Sequence, residues 1–162
     1  MTEFRPMRRH KQAATPEECA EILRTVKRGV LAVAGEAGYP YALPLDFYYD
    51  EAENAIYFHC ARSGHKIDAI KECDKVCFTV WNEGWLDEDG WSLHPTSVIA
   101  RGRAELVDPA EDERILEKAW LFGRKYYPTD EELQEEIRKD AWRMQLVAIH
   151  IEHLSGKHVH ER

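Results

Sequence analysis

Three apolar runs separated by very short turns constrain this chain most. Residues 30–34, 39–49 and 55–60 are rich in branched and aromatic side chains, and only residues 35–38 and 50–54 part them. A parallel neighbour needs a crossover of a dozen or more residues, so strands joined this closely run antiparallel. Further strand patterns follow at residues 75–81, 96–107 and 145–154. Helical patterns sit between them. The fold class is α+β, mainly β, built around an antiparallel barrel with flanking helices. Pro40 and Pro44 each remove a main-chain donor and predict a break in pairing within residues 39–49. Gly102 marks a bulge in the strand 96–107.

The helix signals are local. Thr15, Pro16 and Glu18 form a cap, a first-turn proline and a capping box, with Ile22, Leu23 and Val26 on one face and Gly29 as terminator. Asp108, Pro109 and Glu111 start another helix, with Ile115, Leu116, Ala119 and Leu121 as its apolar face. Thr129 caps a third. Val147, Ile149 and Ile151 share a face of the last strand, and residues 155–162 form a tail.

At 162 residues and 44% hydrophobic composition, the chain predicts one globular domain with a sizeable core. A net charge of −8 opposes general nucleic-acid binding, which favours a basic surface, but leaves a small anionic ligand open. No apolar run approaches the ~20 residues of a membrane span. The basic N-terminal residues have no apolar stretch behind them, so they do not form a secretory signal. Cys19, Cys60, Cys73 and Cys77 make no CxxC pair. They are expected to be reduced core residues of a cytoplasmic protein, with no metal site.

The segment 55–70 carries the chemistry. A strand ends at His59 and Cys60, Ser63 and Gly64 make a tight turn, and a helix opens on His65 and Lys66. A helix start exposes main-chain N–H groups and the positive end of the peptide dipole, which suits a phosphate. Ser63 adds a hydroxyl, Gly64 allows close approach, and Lys66 adds charge. The competing reading is an ordinary helix start with solvated charges.

Four segments in order resemble the pyridoxamine-phosphate-oxidase-like FMN-binding split barrels, and most closely their nitroimidazole-reductase branch. They are residues 29–47, 56–70, 97–105 and 149–157. The resemblance implies that residues 1–162 form a single six-stranded antiparallel split barrel. It also implies a homodimer with FMN at the interface. It places Arg62, Ser63, Gly64, His65 and Lys66 at the FMN phosphate, and His59 and Cys60 where a strand passes the flavin. Pro44 and Leu45 fall where backbone faces the ring, and Thr96, Ser97 and Val98 on a strand beside it or across the interface. The oxidase's Trp and Arg-rich C-terminal signature has no counterpart, which argues against pyridoxamine phosphate as substrate.

His59 and Cys60 are neighbours on a strand and point to opposite faces, so they form no catalytic dyad. The expectation is that one lines a cavity while the other packs inside. Ser63 and Lys66 also satisfy an S-x-x-K pattern, but no Lys-Thr-Gly follows it. His150, His153, His158 and His160 suggest a solvated C-terminal cluster. The loop 82–95 holds Trp85 and Trp91, which either lid a flavin and meet substrate or cover the barrel end. The chain has no evident triad or carboxylate pair. That fits the activity the resemblance implies, FMN-dependent reduction of a small-molecule aromatic acceptor such as a 5-nitroimidazole, where the flavin supplies the redox chemistry. The alternative is a non-catalytic flavin- or haem-binding protein.

Overall fold

The computed structural model describes residues 4–88, 90–107, 114–140 and 143–159. In chain order the elements are β1 (Ala13–Ala14), α1 (Pro16–Thr25), β2 (Arg28–Ala34), β3 (Pro40–Asp46), β4 (Tyr48–Asp50), β5 (Ala55–Ala61), α2 (His65–Glu72), β6 (Lys75–Trp81), β7 (Thr96–Val107), α3 (Arg114–Arg124), α4 (Asp130–Asp140) and β8 (Met144–His158). Every strand pairing is antiparallel, in the order β3-β2-β6-β7-β8-β5-β4, with β1 added on β8.

The two strands at the ends of that order are consecutive in the chain. Only Phe47 lies between β3 and β4. One residue cannot span a flat sheet of this width, so the sheet must curl until its ends meet. The result is a split barrel. Phe47 is fully buried and meets Phe78 edge to face at 4.9 Å. The two extra short strands, β1 and β4, take the count beyond the six expected.

Inside the barrel, Leu31, Phe58, Phe78, Val80, Val98, Val147 and Ile149 form the core. Helices α1 and α2 close it with Cys19, Leu23, Ile67 and Ile70. A second, smaller core lies on the outer face, where Tyr57, Val107, Leu146 and Ala148 pack under Ile115 of α3. The first half of β8, at residues 146–149, is therefore buried on both faces. Lys118 pins α3 to the turn after β4. It is 1% exposed and donates to Asp50 at 2.8 Å and Glu53 at 2.6 Å.

The Thr15–Glu18 capping box forms as expected. Several other expectations are corrected. Helix α1 stops at Thr25, and Gly29 lies inside β2 instead. A Cβ there would sit 2.4 Å from the Phe78 ring, so Gly29 is a packing glycine. Pro40 and Pro44 do not break the pairing, because β3 is paired along its whole length with β2 and presents its other side as an edge. The interruption falls at Phe47. The bulge at Gly102 is present, with the register slipping between Arg101 and Gly102. The α3 face is Ile115, Ala119 and Phe122, while Leu116 is exposed. Residues 108–113, including the expected start of that helix, lie outside the described residues.

The C-terminal residues are also corrected. β8 runs on to His158 because β7 and β1 pair with its end. His150 bonds Glu105 at 2.7 Å, His153 stacks on Phe4, and His158 meets Thr96 at 2.9 Å and Glu18 at 3.2 Å. These three histidines form no solvated cluster; His160 lies outside the described residues.

Candidate functional site

The sheet's covered surface ends partway along β5. Ala55 to Phe58 are buried, and His59, Cys60 and Ala61 emerge into a mouth. The chain then turns through Ser63 and Gly64. Gly64 has φ +127° and ψ 170°, a conformation that suits only glycine, although a Cβ there would meet nothing. The backbone shape, not a lack of space, requires glycine at this position.

Helix α2 starts on His65 with no side-chain cap, in contrast to the closed box of α1. The Gly64 carbonyl takes the N–H groups of Ile67 and Asp68 at 2.9 and 3.1 Å. The N–H groups before them point out of the helix start. Ile67, Ala69 and Ile70 anchor the helix in the core, so its first turn is held in place. His65 stacks flat on Tyr41 of β3 at 4.1 Å and lies 4.0 Å from Glu36. Lys66 is half-buried beside it.

Asp46 at the end of β3, just after Pro44 and Leu45, acts electrostatically on His59 at this mouth. Desolvation lowers the pKa of His59, Asp46 opposes that shift and Lys66 reinforces it, so the neutral imidazole is favoured. Burial pushes the Cys60 thiol up, with Lys66 opposing, so Cys60 is held as a thiol and not as a nucleophilic thiolate. His59 and Cys60 have opposite surroundings, as expected. Cys60 packs against the barrel core, and the His59 ring meets Phe122 edge-on at 4.8 Å on the outer face. Tyr41, Asp46 and Phe122 join the site through strand pairing and helix packing. The motif omits them, and only the alternation of β3 hints at Tyr41.

Thr96, Ser97 and Val98 lie elsewhere. They pair with the end of β8, where Val98 faces Gly156 and Ser97 faces Lys157. The mouth lies at the other end of β8, where Ala61 faces Met144. Twelve positions of β8 separate Met144 from Gly156, on the order of 40 Å along an extended strand. Across the sheet the path is shorter: the register runs from Pro44 through Val30 and Thr79 to Ile99, three strand spacings or ~15 Å. Thr96 and Val98 are buried within their own sheet.

Trp85 and Trp91 sit on an arm between β6 and β7. The arm is held by a bridge between Leu86 and Leu93 and by main-chain bonds from Asp87 to Ser92 and His94 to Trp85. Trp85 is 59% exposed and stacks on His94, and Trp91 is 88% exposed. Neither plugs the barrel of its own chain.

Two hollows stand out. One of about 520 Å3 lies over β2, β6 and β7 near Phe4 and Arg101, away from His59 and Lys66. The other, of about 430 Å3, opens beside His59 beneath α3 and α4. Among the described residues no group of His, Cys, Asp and Glu is placed to hold a metal, and no helix is long and apolar enough to cross a membrane.

This geometry has counterparts in solved structures. A candidate 5-nitroimidazole antibiotic resistance protein from Bacteroides thetaiotaomicron is 19% identical, with 90% of this chain and 86% of that one aligned at a TM-score of 0.73. A FAD-binding protein from Mesorhizobium loti is 22% identical over 91% and 97% of the two chains, with a TM-score of 0.64. The flavocytochrome Anf3 from Azotobacter vinelandii is 23% identical over 94% of this chain and 71% of its own, with a TM-score of 0.74. At such identities the likeness establishes the fold. No curated protein matches the sequence. The family model described as pyridoxamine 5'-phosphate oxidase matches residues 15–158, which take in the barrel and the mouth at Lys66, and the chain belongs to that family.

Proposed function

We propose that this protein is a homodimeric FMN-dependent oxidoreductase that reduces small aromatic acceptors such as 5-nitroimidazoles. The uncapped start of α2 carries the reading. Gly64 shapes the backbone, the open N–H groups and dipole face outward, and Ser63, Lys66 and Arg62 stand around them. This set fits a phosphate. One such seat suits the single phosphate of FMN, while the flavin-binding proteins among the structural neighbours support the flavin itself.

A bound flavin supplies the electron transfer. The chain supplies the rest. Lys66 and the helix start hold the phosphate. Pro44 and Leu45 offer an edge of backbone to a flat ring, and neutral His59 can donate a hydrogen bond without adding charge. Thr96, Ser97 and Val98 stand on β7, three strands from Pro44 in the sheet, and in this reading a second copy provides them at the flavin. In nitro reduction both oxygens leave as water, with electrons from a reduced nicotinamide and protons from solvent.

The test is the absorption spectrum of the purified protein, mass identification of the released cofactor, and nitroimidazole reduction with NADH or NADPH. FMN with turnover supports the proposal. A Soret band, or flavin without turnover, supports the non-catalytic alternative. Three C-terminal histidines already have partners, which leaves His59 as the better candidate for haem.

A further inference from the structure

Helices α3 and α4 roof a cavity whose floor is the outer face of β5 at His59. The two helices clasp at Gly123, where a Cβ would lie 2.1 Å from the Leu133 side chain. Beneath that clasp, Phe122, Ile137 and Met144 surround about 430 Å3 that no side chain fills. Protein interiors are close-packed, and small-molecule sites occupy roughly 300–1,000 Å3. The walls are mainly apolar. Glu136 and Arg143 also line the cavity with opposite charges, so neither sign of ligand is favoured. The His59 ring touches Phe122 edge-on and hydrogen-bonds no other described residue. In its neutral form it has one donor and one acceptor to offer.

We propose that this cavity seats the acceptor substrate: a neutral planar ring held among Phe122, Ile137 and Met144, with a hydrogen-bond-accepting substituent at His59. This inference rests on the flavin reading of the adjoining mouth. His59 links the two, since Lys66 and Asp46 act on it from the mouth and Phe122 contacts it from the cavity. A ring seated here would reach the flavin side past His59.

The chain has three methionines, and Met144 is the one at this cavity. The protein is labelled at the methionine methyl groups and titrated with 2-methyl-5-nitroimidazole, with and without FMN. Ring-current shifts should move the Met144 signal saturably and leave Met7 in place. Ile137→Trp fills the cavity and should weaken ring binding by about tenfold or more, with FMN affinity and melting temperature unchanged. A Met144 signal unmoved at saturation, or equal ring binding in Ile137→Trp, overturns the proposal. Should that variant not fold, the Met144 shift in the parent still decides. FMN bound with no Met144 shift defeats the cavity alone. A Met144 shift in a protein that takes up no flavin defeats the flavin reading and upholds the cavity as a ring site.

Discussion

Lys66 carries the sharpest expectation at the scale of single residues. Its ammonium stands at an uncapped helix start, so Lys66→Ala should weaken FMN binding by about 1–3 kcal/mol, the range for a charge-assisted hydrogen bond. Titration of flavin fluorescence measures this, and an unchanged affinity would remove the phosphate assignment. Lys125 gives a prediction of a different kind. It donates to the carbonyls of Val26 at 2.6 Å and Phe47 at 3.2 Å, and it lies 4.0 Å over the Phe47 ring. Desolvation lowers its pKa to about 8, with Asp46 opposing and Lys27 assisting. An unfolded lysine titrates near ~10.4. Between about pH 8 and 9.5 the unfolded chain therefore binds more protons than the folded one, so this group makes stability rise with pH. Denaturant unfolding across that window should show the rise in the parent and a smaller one in Lys125→Met. Of the site residues, the sequence exposes Ser63, Gly64 and Lys66, because a turn before a helix is a local signal. Asp46, Tyr41 and Phe122 reach the site through contacts far apart in sequence, which no local pattern encodes.

Among the elements, the arm between β6 and β7 is the most open to experiment. It displays Trp85, Leu86 and Trp91 to solvent, and it leads directly into the Thr96–Val98 stretch that a second copy would bring to the flavin. Trp85→Ala and Trp91→Ala should raise KM for a nitroaromatic and leave FMN affinity and melting temperature nearly unchanged, since neither ring is buried in its own chain. Loss of several degrees in melting temperature at constant KM would make the arm structural. Element positions were largely readable from caps, turns and periodicity. Their ends were less so. The end of β8 at His158 depends on pairing with β1 and β7, and the role of Gly29 inside β2 depends on Phe78 across the barrel. Both are decided by partners distant in the chain.

For the whole molecule, the proposed flavin reading predicts a dimer. Light scattering at micromolar concentration should give about twice the 18.9 kDa chain mass, and an FMN-loaded monomer would contradict it. The antiparallel barrel was legible from the short turns, but its closure was not, because nothing near Phe47 marks the chain as passing from one end of the sheet to the other. That single-residue passage also bears on solubility. Open sheet edges act as templates on which other chains add strands and aggregate. Here the edges are tethered so tightly that neither can swing away while the other stays in place. Lengthening the link at Phe47 by a few glycines would free both edges at once, and the protein's tendency to form intermolecular β-structure would then rise even where its core packing is unchanged.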